Sequence, residues 1–341
     1  MNNSEKEKFW RQAAAQNTWR AFIPENASDS SFREYDTLWR PARHSYFTGK
    51  GRTLAIIDQP LWPHPGYKNN LVDVQTVQSA VLDPSLETSH ISYHGAAVVS
   101  IAVGQIGVAR NANVVYRAFA PWAPGEERLH NHFRALKDLR AWVGAGNPVD
   151  AISTSHGWPD DAPWAKETNR IIGWFEARNI PVFSVNSISS FIVPCGPFGF
   201  AECARNSPFY SSLAADNTVS FSKLGKKVAI PIDQRGLACW APGQVKYLNA
   251  SYYREAKGGW SWAVPFVAGL FVGAREVLPK LKKEEFVKIL LGTRQNFTYT
   301  GGATLPTIDV NQFMETLQYP ASRWKERLRS LNQRRKAGFV P

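Results

Sequence analysis

The sequence predicts an α/β fold with a mostly parallel central sheet flanked on both sides by helices. Two observations carry this. Short uninterrupted apolar runs, Leu54-Ala-Ile-Ile57 first among them, have the character of strands buried on both faces. Between such runs lie longer segments with apolar residues at helical spacing, and strands alternating with helices imply parallel pairing through covered crossovers. With 341 residues, 44% of them hydrophobic, the chain can fill one large core and carry appendages.

Taken in order, residues 1–45 read as an N-terminal extension. Glu5 to Arg20 has helical spacing with Phe9, Trp10 and Trp19 as apolar contacts, and Pro24 to Ser31 is rich in loop residues. The α/β pattern starts at Thr53, with Leu54–Ile57 as the first strand. Gly95–Val103 reads as a buried helix and Val114–Phe119 as a strand. Leu129–Val143 is a helix, with Leu129, Phe133, Leu136, Leu139 and Trp142 on its apolar side. Asp150–Thr154 is a strand. Asn169–Arg178 is a helix expected to turn Ile171, Ile172, Trp174 and Phe175 inward, and Ile180–Val185 is a strand. An apolar helix follows Ser261 and ends near Pro279, and Lys283–Leu291 forms another. No internal repeat or low-complexity tract interrupts the pattern.

Composition narrows the function classes. The N-terminus, Met-Asn-Asn-Ser-Glu-Lys-Glu-Lys, is charged and lacks the apolar run of a secretion signal. The longest apolar stretch, Ala263 to Ala274, has 12 residues, short of the roughly 20 a membrane helix needs. Three cysteines, Cys195, Cys203 and Cys239, are an odd and sparse set that suits a reducing, cytoplasmic setting; Cys195 and Cys203 would pair only in an oxidising one. No spacing matches a zinc site. Half of the net charge of +12 sits between Arg323 and Lys336, where seven basic residues meet one acid, Glu326. This segment is either a solvated C-terminal helix or a docking surface for an acidic partner or nucleic acid.

Three segments carry chemistry. In Leu54-Ala-Ile-Ile-Asp58 an acid ends a buried strand. In Ser92-Tyr-His94-Gly95 a histidine opens a buried helix. In Gly259-Trp-Ser261-Trp-Ala263-Val-Pro265-Phe-Val-Ala-Gly269 a serine opens the longest apolar helix. Singly, each has an ordinary structural use: a turn acid, a core histidine, a helix N-cap. Jointly, the order Asp, His, Ser points to nucleophilic catalysis. A serine hydroxyl needs an adjacent imidazole to take its proton, and a buried carboxylate fixes that imidazole's tautomer.

The third segment resembles the nucleophile motif of the subtilisin-like serine peptidases, matching at Gly259, Ser261, Ala263, Pro265, Val267, Ala268 and Gly269. Ala241-Pro242-Gly243, Gly49-Lys-Gly51 and Ile106-Gly107-Val108-Ala109 are also similar to family segments, so the resemblance spans roughly residues 46–295. It implies a subtilisin-like three-layer fold over residues 46–300, with residues 301–341 as a C-terminal extension carrying the basic helix. It implies an endopeptidase with Asp58, His94 and Ser261 as triad. It implies Asn186 as the oxyanion donor, although a loop Asn with a local backbone bond fits that position too. Ser155, His156 and Gly157 would bind substrate backbone by strand addition; His156 either shapes a pocket or caps a strand end. The implied partner is a peptide or protein substrate, acidic by charge complementarity, with no membrane. No cofactor is expected. Structural calcium is common in the family, but no ligand set maps onto this chain.

The departures are specific. His94-Gly95 is followed by Ala96-Ala97 where the family has Thr-His. Trp260 and Trp262 flank Ser261, Val264 precedes the proline, Pro60 stands two places after Asp58 where the family has Gly, and Val185 precedes Asn186. The tryptophans fit either a narrowed active cleft or a silent one that only binds. Only 57 residues precede Asp58, too few for the prodomain of secreted members. Ala21-Phe-Ile-Pro24-Glu25 is similar to the short apolar-proline segment of intracellular ones, so residues 1–30 are expected to regulate access.

Overall fold

The computed structural model describes residues 47–59, 61, 66–77, 93–104, 107–119, 126–195, 228–231, 234–237, 240–241, 244–247, 252–255, 260–298, 304–319 and 321–336. At its centre a five-stranded parallel sheet is built from β1 (Thr53–Asp58), β2 (Leu71–Thr76), β3 (Asn113–Ala118), β4 (Ala151–Thr154) and β5 (Val182–Ser184), in the order β2-β3-β1-β4-β5. β1 lies in the middle, so all of its residues are buried. Alternate residues feed two cores. Leu54 and Ile56 face a layer that includes α1 (Tyr93–Ala102) and α5 (Trp260–Val277), and Ala55 and Ile57 face α2 (Glu126–Gly144) and α3 (Ala165–Glu176). Each fully buried Leu or Ile contributes roughly 1.5–3 kcal/mol. The continuous apolar run at 54–57 is therefore what a central strand covered on both faces requires.

A second sheet of four strands, β6 (Ile192–Cys195), β7 (Val228–Pro231), β12 (Gln295–Thr298) and β13 (Thr304–Thr307), runs in the order β12-β13-β7-β6. Between β7 and β12 come two short ribbons, β8 (Gln234–Leu237) with β11 (Tyr252–Glu255) and β9 (Trp240–Ala241) with β10 (Gln244–Tyr247). Residues beyond 300, expected as an extension, thus include β13, which pairs with both β12 and β7. The last described helices are α6 (Lys283–Gly292), α7 (Val310–Leu317) and α8 (Ala321–Lys336). The basic helix α8 is anchored by buried Leu328 and Leu331, and Leu328 lies where a Cβ on Gly292 would stand, so α6 ends on a residue without one. No described helix is long and apolar enough to cross a membrane. The N-terminal extension, Cys203 and Cys239 lie outside the described residues.

Two elements differ from the sequence expectation for physical reasons. β2 is absent from it because its pattern is inverted: Val72 and Val74 are 55% and 48% exposed, while Asp73 turns inward. Asp73 does so to meet Arg117 of β3, which is 0% exposed and donates from Nη1 to Asp73 at 2.6 Å and from Nε to Asp138 of α2. On α3, Ile171 and Phe175 are buried as expected, but Ile172 and Trp174 are only partly so. Trp174 forms an outer shelf beneath the guanidinium groups of Arg178 (3.8 Å) and Arg140 (5.2 Å).

The C-terminal end of α5 is pinned by two consecutive residues. Arg275, 4% exposed, donates to the backbone carbonyls of Asp150 (2.7 Å), Asn179 (2.6 Å) and Leu281 (2.9 Å) and lies over the Phe271 ring. Burial is the main influence pushing its pKa down, and Asp150 opposes it, 3.8 Å away. Glu276 accepts from the Gly49 N–H at 2.7 Å and the Thr48 hydroxyl at 3.2 Å, just before β1 begins. Arg275→Met keeps the apolar stem and strips three carbonyls of their donor. Urea unfolding should show a loss of about 3 kcal/mol. A loss below about 0.5 kcal/mol, the range of an ordinary surface substitution, would contradict the clamp.

Candidate active site

Asp58 occupies the last position of β1, at the carboxyl end of the central strand, the end where open α/β sheets place their sites. His94 is the second residue of α1. The helix can start this close to β1 because position 95 is glycine: a Cβ there would collide with the Gln59 carbonyl and the Tyr116 hydroxyl. That hydroxyl donates to the same Gln59 carbonyl and holds the turn after β1.

Asp58 is 3% exposed, and its Oδ1 lies 2.6 Å from Nδ1 of His94 while accepting the Gln59 N–H at 2.8 Å. A carboxylate only accepts, so Nδ1 carries the proton and Nε2 is the acceptor position of neutral His94. Burial lowers the imidazole pKa. The charge and hydrogen bond of Asp58 raise it and prevail, so His94 titrates above its ordinary value. Burial, then the charge of Asp58, pushes the Tyr116 phenol well above its usual range, so it stays neutral.

Ser261 is the second residue of α5. Pro265 lies beyond the first turn: α5 starts at Trp260, so the absent N–H of Pro265 is the one that would have bonded the Ser261 carbonyl. Ser155, just past β4, supplies the replacement, its hydroxyl donating to the Ser261 carbonyl at 2.8 Å. The next residue, Trp262, is 7% exposed and sets its ring 4.9 Å from that of His94. Asp58 and His94 are therefore brought together directly. Ser155 and Trp262 hold the chain at Ser261 from either side.

The remaining candidates cluster around α4 (Val185–Ile188), a single turn fixed by a reciprocal capping box between Ser184 and Ser187. Asn186 lies on this turn rather than in a free loop. Its Oδ1 accepts the Trp158 N–H at 3.1 Å and its Nδ2 donates to the Trp158 carbonyl at 2.6 Å. One Nδ2 hydrogen is thereby taken and one is left. Gly157 lets the chain pass this amide, since a Cβ would stand 2.7 Å from Asn186 Oδ1. The His156 carbonyl accepts from the Val185 N–H at 3.2 Å.

His132 was not legible in the sequence. It is fully buried on α2, 2.8 Å from Thr154 Oγ1, with its ring 5.1 Å from His156 and 5.3 Å from Trp158. Burial, and secondarily His156, pushes its pKa well below the ordinary value, so it stays neutral. Its apolar-helix spacing gave no signal beyond an ordinary core position. Among the described residues, no three or more His, Cys, Asp or Glu side chains gather as metal ligands. Gly259, Pro60 and the Pro242-Gly243 part of the expected turn lie outside the described residues.

No protein-family model matches the chain, and no curated protein matches it. Solved structures do. One of the proteases from Pseudoalteromonas arctica PAMC 21717 superposes with a TM-score of 0.51 at 16% identity, over 83% of this chain and 92% of its own. The MycP3 protease from the type VII (ESX-3) secretion system gives 0.48 at 14% identity, over 80% and 85%. A cold adapted subtilisin-like serine proteinase gives 0.44 at 15% identity, over 76% and 89%. The fold is α/β, an all-parallel five-stranded sheet flanked by helices, and it is shared with the Pseudoalteromonas arctica protease.

The electrostatics of His94 can be checked without any substrate. In Asp58→Asn the burial that lowers its pKa remains and the charge that raises it is gone. The NMR titration midpoint of His94 should fall by more than one pH unit, the scale typical of a lost adjacent carboxylate. An unmoved midpoint would show that Asp58 does not set it.

Proposed function

We propose that the chain is a serine endopeptidase that hydrolyses peptide bonds through an acyl-enzyme on Ser261. The observation that supports this most is the buried Asp58 carboxylate bonded to Nδ1 of His94 at 2.6 Å, beside the first turn of α5. In this reading His94 Nε2 takes the Ser261 proton as Oγ attacks the scissile carbonyl, and returns it to the leaving amine. Asp58 keeps the imidazole in the right tautomer and stabilises its charged form. The developing oxyanion lies by the start of α5, where helix N–H groups favour negative charge, and receives the remaining Nδ2 hydrogen of Asn186. Water then attacks the acyl carbon as His94 takes its proton, the bond to Ser261 Oγ breaks, and His94 returns the proton to Oγ as the acid product leaves.

Substrate backbone pairs with Ser155, His156 and Gly157, an extended run that continues β4 and ends against Asn186. The net charge of +12 draws acidic substrates toward the protein by long-range attraction. The odd, sparse cysteines favour an intracellular setting, where the reaction serves processing or regulatory cleavage rather than scavenging.

A second reading is a silent binding protein on the same fold. Trp262 against His94 and the engagement of the Asn186 amide by Trp158 are the observations in its favour.

Fluorogenic peptide hydrolysis separates the two. The peptidase reading expects turnover in the parent and none in Ser261→Ala, with Asn186→Ala about 100- to 1,000-fold slower in kcat. The rate should fall as pH drops through a midpoint above the ordinary imidazole value, because only neutral His94 accepts the proton. Equal rates in parent and Ser261→Ala would refute it, and absence of turnover on every peptide would favour the binding reading.

A further inference from the structure

We infer that Trp262 is a positioning residue for His94: its ring face holds the imidazole against Asp58 and stabilises the imidazolium that forms during the proton transfer. This rests on the peptidase reading and names how the same site is tuned. The imidazole is bounded on two sides by different chemistry. Along its plane, Nδ1 meets the Asp58 carboxylate at 2.6 Å. At its face stands Trp262, with ring centroids 4.9 Å apart and planes tilted by 41°. That separation is inside the roughly 6 Å over which an aromatic face attracts a cation, and tryptophan has the strongest face.

The packing that fixes this geometry comes from the helix. Trp262 is 7% exposed and belongs to the same core cluster as Ala96 and Val99 of α1, the helix that carries His94. Its backbone follows the Ser261 carbonyl tied to Ser155, and burial holds the side chain. An imidazole left 18% exposed would otherwise turn about its side-chain bonds and admit water between Nδ1 and the carboxylate. Among the described residues, the titratable groups beside His94 are Asp58 at the end of β1 and the Tyr116 hydroxyl of β3, which packs at the neighbouring Gly95. Tyr116 is neutral throughout the working range.

Trp260 is partly buried and packs against the core, and Trp262 meets the imidazole. A bulky residue after the nucleophile is on this account a working part of the site, not a plug.

The test compares Trp262→Met, which keeps an apolar side chain without a ring, with Trp262→Phe, which keeps a ring. Full-length proteins are titrated by NMR at His94, and kcat and KM are measured over the same pH range. Trp262→Met should lower the His94 midpoint by about half a unit to one unit. It should lower kcat several-fold with KM little changed, and Trp262→Phe should recover most of both. Trp262→Leu serves as the ring-free variant should Trp262→Met not fold. A midpoint that stays or rises in the ring-free variant, in a protein with the parent's thermal stability, would overturn the inference. A parent that hydrolyses no peptide defeats the peptidase reading; the NMR midpoints still decide the role of Trp262.

Discussion

Most of what this fold achieves hangs on one helix, α5, buried along nearly all its length between Trp262 and Arg275. Its burial forces its ends to be satisfied by particular partners. At the carboxyl end Arg275 gathers three backbone carbonyls and Glu276 gathers the turn before β1. Along its middle, Gly269 lets α1 and Val108 approach, since a Cβ would stand 3.0 Å from the Ala102 carbonyl and 3.2 Å from Val108 Cβ. At the amino end Pro265 frees a carbonyl and Ser155 fills it. The position of Ser261 is thus set by contacts distributed over about 27 Å of helix, not by local turn geometry.

The same protein places charged groups in its interior with different degrees of compensation. Arg117 crosses from β3 to carboxylates on β2 and α2, yet its Nη2 has no partner among the described residues. Arg275 is satisfied by carbonyls more than by charge. His94 is held by the Asp58 carboxylate, which outweighs its burial, and His132, bonded to the Thr154 hydroxyl, is kept neutral. Buried cations without full partners cost several kcal/mol each. The sequence spends that cost at the Arg117 and Arg275 clamps, and His132 avoids it by staying neutral.

Much of the sheet was legible because β1, β3 and β4 are covered on both faces and therefore carry runs of apolar residues. β2 was not, because an edge strand whose inward residue is Asp73 has its valines in solvent, and the partner that explains this, Arg117, is more than forty residues away. At the site, Asp58, His94 and Ser261 were expected from order and motif, and the structure places the Asp58 carboxylate 2.6 Å from His94 Nδ1. The pairing of Ser155 with the Ser261 carbonyl could not be read, since it joins residues 106 apart, and it depends on where α5 begins. Asn186 shows the limit of motif transfer: the residue type was expected, but its hold on the Trp158 backbone comes from the capping box at Ser184 and Ser187.

The account's central claim is that the buried Asp58–His94 pair activates Ser261. The most direct measurement is the rate of covalent labelling by a fluorophosphonate in the parent, His94→Ala and Ser261→Ala proteins, with the modified residue located by mass spectrometry. The account predicts a single adduct on Ser261, slowed at least about 1,000-fold without His94 and absent in Ser261→Ala. An unlabelled parent, or labelling of Ser261 at the same rate in His94→Ala, would contradict it.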